Sequence, residues 1–220
     1  MIDLWLVRHG ETDWNRELRF QGHLDAPLNA LGLQQAQRLG AHLAGLPPRP
    51  LLASDLLRTR QTAEPLAGQW QTPALPDSLW REQAFGVIEG LTLDEIQQRH
   101  PEIVHGWRRH DPDFAPQGGE SRRQFHARVM LAVQSLVDRC LQEGWRSTIV
   151  VSHGGVLDMI YRSATGQALG EPRECPIPNA GLNHVRTDGK RFEIVQWAQT
   201  DHLEGLPPAA VYPITSPSKA

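Results

Sequence analysis

At 220 residues, with a formal net charge of -3 and 40% hydrophobic residues, the chain is long enough to bury a sizeable core as one α/β domain. No apolar run approaches the roughly 18 residues of a bilayer-spanning helix, the start Met1-Ile2-Asp3 lacks the basic region of a secretory signal, and no basic tract offers a surface to nucleic acid. The expectation is a cytoplasmic protein with neither membrane nor nucleic-acid partner; Cys140 and Cys175, without C-x-x-C spacing, suggest neither a disulfide framework nor a zinc site.

In chain order, Ile2, Leu4 and Leu6 alternate with Asp3, Trp5 and Val7, a buried strand that stops at Arg8-His9-Gly10. Asn29 caps a helix over Ala30 to Leu46, with Leu33, Ala36, Leu39, Leu43 and Leu46 as its apolar stripe, ended by Pro47-Pro48. The run Leu51 to Ala53 is the next strand, so the three elements form a βαβ unit with parallel pairing. Ser54 is the expected N-cap of a helix through Arg58 and Leu66 that ends near Gly68.

A short strand is expected around Pro73 to Leu75, followed by Leu79-Trp80-Arg81-Glu82. Thr92 and Glu95 form a capping box for a helix over Leu93 to Arg99. Residues 103–119 show no sustained period and read as an irregular cover. Ser121 and Gln124 form a second capping box, opening a helix whose stripe runs from Phe125 to Cys140. A strand over Thr148 to Val151 then ends in Ser152-His153-Gly154-Gly155, and a helix over Gly155 to Ala164 closes at Gly166. Asn183 to Val185 and Phe192 to Trp197, joined by Asp188-Gly189, read as a hairpin. Residues 204–220 read as a proline-rich tail, which leaves 1–203 as a single domain with 83–120 as its cover.

Two strands therefore deliver a histidine each to a strand end, where ligands bind in open α/β sheets. The blocks R-H-G-E-T-x-W-N, S-x-L-x-R-T-x-Q-T and S-H-G-G, in this order and at these separations, resemble the histidine phosphatase superfamily in its phosphoglycerate-mutase-like branch, from about Leu4 to about Leu203. The resemblance implies a three-layer αβα fold with a mostly parallel central sheet and an active site at the C-terminal edge of the strands, under a helical and loop cover.

It also implies roles. His9 would be the nucleophile that becomes a phosphohistidine, and Glu82 the general acid and base, with Glu89 as its competitor. A bound phosphate needs fixed cations and donors around its oxygens, and Arg8, Arg58, His153, Asn15, Gln21 and Gly154 are the candidates. Glu11 and Thr12 are expected to shape the loop. Ser152 lacks the G-x-S-x-G elbow of a serine hydrolase, and the ten histidines contain no pair at i, i+4 around a helical Glu, so neither metal nor cofactor is implied.

In mutases of this branch the acid is followed by arginine and, two residues on, by tyrosine and glycine, within a longer insertion; here Gln83, Ala84, Phe85 and Gly86 follow Glu82, and the interval to His153 is short. Both departures favour hydrolysis of a small phosphorylated metabolite. A mutase, or a module that only binds phosphorylated ligands, is the alternative. Phe85, Ile88, Trp107, Arg108, Arg109 and His110 are expected to line the outer pocket, and a homodimer is left open.

Overall fold

The parallel run of short apolar strands organises the molecule. In the computed structural model, which describes residues 1–209, the strands are β1 (Ile2–Arg8), β2 (Leu51–Ala53), β3 (Leu75–Pro76), β4 (Ser147–Ser152), β5 (Leu182–Thr187) and β6 (Phe192–Gln199). The helices are α1 (Asp13–Arg16), α2 (Ala30–Ala44), α3 (Leu57–Trp70), α4 (Leu93–Arg99), α5 (Pro101–Trp107), α6 (Arg122–Glu143) and α7 (Gly154–Thr165). Most of the expected proline-rich tail, residues 210–220, lies outside the described residues.

The sheet order is β3-β2-β4-β1-β5-β6. The first four strands pair in parallel, and β5 and β6 are antiparallel. β1 and β2 do run parallel, but β4 lies between them and pairs with both. The βαβ unit read from the sequence is thus a crossover that leaves room for a strand arriving about a hundred residues later.

Because strand side chains alternate between faces, the two sides of the sheet bury different residues. Leu4, Leu6, Leu52 and Val150 meet Phe125, Val129 and Val133 of α6 and Val156 and Ile160 of α7. Val7, Leu51, Ile149 and Val151 meet Leu39 and Leu43 of α2 and Leu66 and Trp70 of α3. This makes three layers, αβα. A smaller cluster of Ile88, Ile96, Ile103 and Val104 holds the cover together.

Four local expectations need correction. Ser54 does not cap α3: the N-cap is Leu56, with no side-chain bond, and the carboxylate of Asp25 accepts from Leu57 N–H at 2.6 Å in its place. That helix passes Gly68 and ends at Trp70, where Gln71 turns left-handed with φ 52°. The stretch read as irregular, 103–119, begins inside α5, whose residues 103–107 are helical and which starts at Pro101, a residue suited to a first turn where no N–H partner is needed. Leu33 faces solvent, 47% exposed, and Leu31, Ala36, Leu39 and Leu43 form the buried stripe of α2. The α2 face also carries Gly40, where a Cβ would lie 2.9 Å from that of Pro65, so the glycine sets the close approach to α3.

Candidate active site

Register brings the motifs together. Arg8 stands opposite Ser152 across β1 and β4, and Ala53 opposite Val151 across β2 and β4. The three chains leave the sheet at one edge, cross-tied by His9 N–H to the Ser152 carbonyl (2.9 Å) and Ser54 N–H to the Val151 carbonyl (3.0 Å).

His9 is buried, and its Nδ1 lies 2.7 Å from the Gly10 carbonyl. A carbonyl only accepts, so Nδ1 carries the proton and Nε2 keeps its lone pair. The backbone around the ring is pinned from three sides. Gly10 N–H donates to Thr62 Oγ1 (2.9 Å), Asn179 Nδ2 donates to the His9 carbonyl (2.9 Å), and Ala180 N–H donates to the Arg8 carbonyl (2.9 Å).

His153, the residue before α7, is fully buried, and its ring centroid lies 5.3 Å from that of His9 at 60°. Arg8 donates through Nη1 to the Ile177 carbonyl (2.7 Å). Arg58 reaches from the first turn of α3 and donates to the carbonyls of Leu24 (2.9 Å) and Gly22 (2.7 Å). Among the described residues, Arg58 Nε, both ring nitrogens of His153 and Gln21 Oε1 are buried with no hydrogen-bond partner.

Burial and then the guanidiniums of Arg58 and Arg8 hold the His9 imidazole well below its usual pKa of 6.5. Burial, Arg58 and His9 do the same to His153. Burial lowers Arg58 to about 10, against the opposing charges of Glu82, Asp25 and Glu89, so it stays cationic at neutral pH. The site therefore combines two neutral imidazoles with two fixed cations.

Glu82 is half-buried at the same edge. Its Oε2 accepts from Gly155 N–H in the first turn of α7 (3.0 Å), and its Oε1 accepts from Gln83 N–H (2.9 Å). A Cβ on Gly155 would sit 2.0 Å from Oε1, so only glycine lets the carboxylate rest on this helix end. Gly154, expected at the phosphate, precedes it and lies against Arg8, whose Nε would be 3.5 Å from an added Cβ. Glu89 is committed elsewhere: its Oε1 accepts from His23 N–H (3.0 Å) and Phe85 N–H (2.9 Å), fixing the turn.

Asn15 is buried, and its amide oxygen accepts from both the N–H and the hydroxyl of Thr12 (3.0 Å each), closing the capping box of α1. Glu11 is bound to Arg16 and accepts from Asn29 Nδ2 (2.8 Å), which shapes the loop. Ile88 is fully buried among the isoleucines of the cover, so its expected place in the outer pocket is wrong. Phe85 and Trp107 are half-buried and flank Phe20, with ring centroids 5.1 and 5.3 Å away, and Arg108, Arg109 and His110 are exposed at the end of α5.

The sequence reading missed His23, Thr62 and Asn179. His23 Nε2 donates to the Glu82 carbonyl (2.9 Å). Thr62 was in view as the last residue of S-x-L-x-R-T-x-Q-T; Asn179 lies in a proline-rich stretch with no period to mark it. Among the described residues no group of three or more His, Cys, Asp or Glu is placed to hold a metal ion, and no helix is long and apolar enough to cross a membrane. An open hollow of about 570 Å³ near His126, Arg162 and Lys190 contains none of the residues above.

A six-stranded αβα fold with two imidazoles and two guanidiniums converging at a parallel sheet edge defines a phosphate-handling α/β enzyme. The family model described as histidine phosphatase superfamily (branch 1) matches residues 4–200, and the chain belongs to that superfamily as an enzyme of the phosphatase type. It is 36% identical over 207 residues to phosphoglycerate mutase-like protein 4 of Arabidopsis thaliana, covering 92% of this chain and 87% of the relative. Among solved structures, Bacillus stearothermophilus YhfR is 35% identical with a TM-score of 0.81, covering 93% of this chain and 100% of that one. A mycobacterial glucosyl-3-phosphoglycerate phosphatase is 29% identical with a TM-score of 0.77, covering 91% and 100%.

Proposed function

We propose that this chain is a phosphomonoesterase that hydrolyses small phosphorylated metabolites through a phosphohistidine on His9, with Glu82 as general acid and then general base. The observation that carries the proposal is the set of buried polar atoms around His9 that lack protein partners, Arg58 Nε and the His153 nitrogens above all. Buried polar groups are ordinarily hydrogen-bonded, and the oxygens of a phosphoryl group supply acceptors for Arg58 Nε–H and for the one N–H of the neutral His153 ring.

In the first step the Nε2 lone pair of His9 attacks phosphorus and the P–O bond to the alcohol breaks. Glu82 gives its proton to the departing oxygen. The positive charge left on the ring is met by the Gly10 carbonyl on Nδ1. In the second step water attacks phosphorus, Glu82 takes its proton, and the P–N bond returns its electron pair to His9. Arg8, Arg58, His153, Gln21, Gly154 and the Asn15 amide N–H groups surround the transferring group, where preorganised donors and cations lower the barrier most.

Hydrolysis is favoured over phosphoryl return because Gln83 stands where a mutase has arginine, and its amide donates to the Glu120 carbonyl (2.8 Å), part of the scaffold. The mutase-like name of the Arabidopsis relative supports the second reading. We read residues 1–203 as the one unit that carries the activity, with 83–120 as its cover, working in the cytoplasm without metal, membrane or nucleic acid. The exposed Arg108 and Arg109 are available to a second anionic group of the substrate.

The test is phosphate release from p-nitrophenyl phosphate by the purified protein, expected to be unaffected by EDTA and abolished in His9→Ala. A requirement for added divalent metal, or full activity in His9→Ala, overturns the mechanism. Interconversion of 2- and 3-phosphoglycerate outrunning phosphate release selects the mutase.

A further inference from the structure

The segment that carries Glu82 has almost no secondary structure of its own, only a 3-10 turn over Ser78–Trp80. Ser152 Oγ donates to the Trp80 carbonyl (2.8 Å), Arg81 pairs with Asp55 and His23 reaches the Glu82 carbonyl, but one guanidinium gathers three of the segment's carbonyls at once. Arg128, on α6, points all five of its N–H donors at fixed acceptors: Nη1 to the carbonyls of Leu79 (2.9 Å) and Arg81 (2.8 Å), Nη2 to the carbonyl of Glu82 (2.9 Å), and Nε and Nη2 to the carboxylate of Glu120 (2.8 and 2.6 Å). Glu120 closes the frame from the other side, accepting from Ala84 N–H (2.9 Å) and donating its own N–H to the Ala84 carbonyl (2.8 Å). The guanidinium also lies over the Phe125 ring, 5.0 Å from its centroid, and that ring borders Gly155 where the Glu82 carboxylate rests.

We propose that the Arg128–Glu120 pair is a positioning device for proton transfer, setting the backbone from Leu79 to Ala84 so that the Glu82 carboxyl reaches the leaving oxygen. This rests on the reading of Glu82 as the general acid. The five Arg128 donors and both Glu120 carboxylate oxygens are already engaged within this frame, so the pair acts through Glu82. The planar five-donor fork is what the geometry uses, and an ammonium with three donors on a flexible stem cannot replace it.

A misplaced acid harms substrates in proportion to how much their leaving group needs a proton. p-Nitrophenolate leaves as a stable anion, whereas an alkoxide does not. The experiment compares kcat/KM for p-nitrophenyl phosphate with that for a simple alkyl phosphate, in wild type, Arg128→Lys, Glu120→Gln and Glu82→Gln. kcat/KM reports the first irreversible step and so isolates departure of the alcohol from later attack by water.

We expect Arg128→Lys to lose on the order of 10- to 100-fold on the alkyl ester and only a few-fold on the aryl ester, since general acid catalysis is worth about 10²–10⁴-fold in total. Glu120→Gln should move the same ratio in the same direction. Should Arg128→Lys fail to fold, Glu120→Gln, which keeps the guanidinium in place, carries the comparison alone. Equal losses on both esters in a folded variant, alongside a selective loss in Glu82→Gln, overturn the clamp and leave Glu82 as the acid. If Glu82→Gln itself shows no leaving-group dependence, the assignment of Glu82 fails and the clamp falls with it.

Discussion

Arg8 and Ser152 face each other across the parallel pairing of β1 and β4, and so the next residue on each strand, His9 and His153, leaves the sheet beside the other with ring centroids 5.3 Å apart. Strand register, a property of the core, thereby fixes a distance that matters only at the surface of the sheet. One residue of slip would invert every side chain of β4 and carry Val150 from one hydrophobic layer to the other. The position of the two imidazoles is consequently as stable as the core itself.

The histidine pair gives stability a pH dependence of definite sign. Burial, followed by Arg58 and Arg8 for His9 and by Arg58 and His9 for His153, depresses both folded-state values below the 6.5 of an unfolded chain. Below 6.5 the unfolded state therefore takes up protons that the folded state refuses, and stability falls as pH drops toward the folded-state values. Each histidine contributes up to about 1.4 kcal/mol per pH unit in this window. The ion-paired carboxylates Asp55 and Glu120, depressed from 3.8 and 4.5, act only at lower pH. Burial lowers His126 and His202 as well, so they add to the same window. Urea unfolding between about pH 7 and pH 5 should show the slope, and His153→Asn should lower it by up to about 1.4 kcal/mol per pH unit. An unchanged slope in that variant would mean that the ring is not held neutral.

Arg58 is expected to matter twice. Replacing it with methionine strips donors from the carbonyls of Gly22 and Leu24 and should cost about 2–5 kcal/mol of stability. Orthovanadate, as a phosphate mimic at about a hundred times its Kd, should stabilise the wild type by about 2.7 kcal/mol and Arg58→Met far less. Thermal shift with and without vanadate measures both effects, and an equal vanadate shift in the two proteins would remove Arg58 from the phosphate site.

Thr62 is a quieter case. Its hydroxyl accepts the buried N–H of Gly10 and donates to the Arg58 carbonyl (2.6 Å), linking the His9 loop to α3. Thr62→Val leaves that N–H unpaired, at a cost of about 1–3 kcal/mol. Thr62→Ser should restore most of the loss in denaturant midpoint and activity, and failure of serine to rescue would show that the methyl group, not the hydroxyl, is what counts.

These cases mark what could be read from the chain alone. Arg8, His9 and His153 stood out because each ends an apolar run whose period already declares a strand, and the capping boxes at Thr92 and Ser121 are local patterns that the structure reproduces. Ser54 misled because the competing cap, Asp25, comes from another part of the chain. Ile88 misled because hydrophobicity alone does not distinguish a pocket wall from a small core. The Glu120–Arg128 pair was invisible for a further reason: its acceptors are backbone carbonyls some fifty residues away, and no sequence pattern records which carbonyl a guanidinium will meet.

Gly155 offers the sharpest separation of site geometry from fold. An added methyl meets Glu82 Oε1 at 2.0 Å and Phe125 Cε1 at 2.9 Å. The carboxylate is the far end of a flexible side chain, so it yields first, and with it goes the hydrogen bond from Gly155 N–H. Gly155→Ala should thus reduce kcat/KM on alkyl phosphates about 100-fold while costing only about 1–3 kcal/mol in overpacking. Combining it with Glu82→Ala removes the colliding group, and two substitutions that act through one contact do not add. The double variant should be no less active than Glu82→Ala alone and should regain part of the melting temperature lost in Gly155→Ala. Fully additive losses in activity would place the effect of the methyl group elsewhere than on the Glu82 carboxylate.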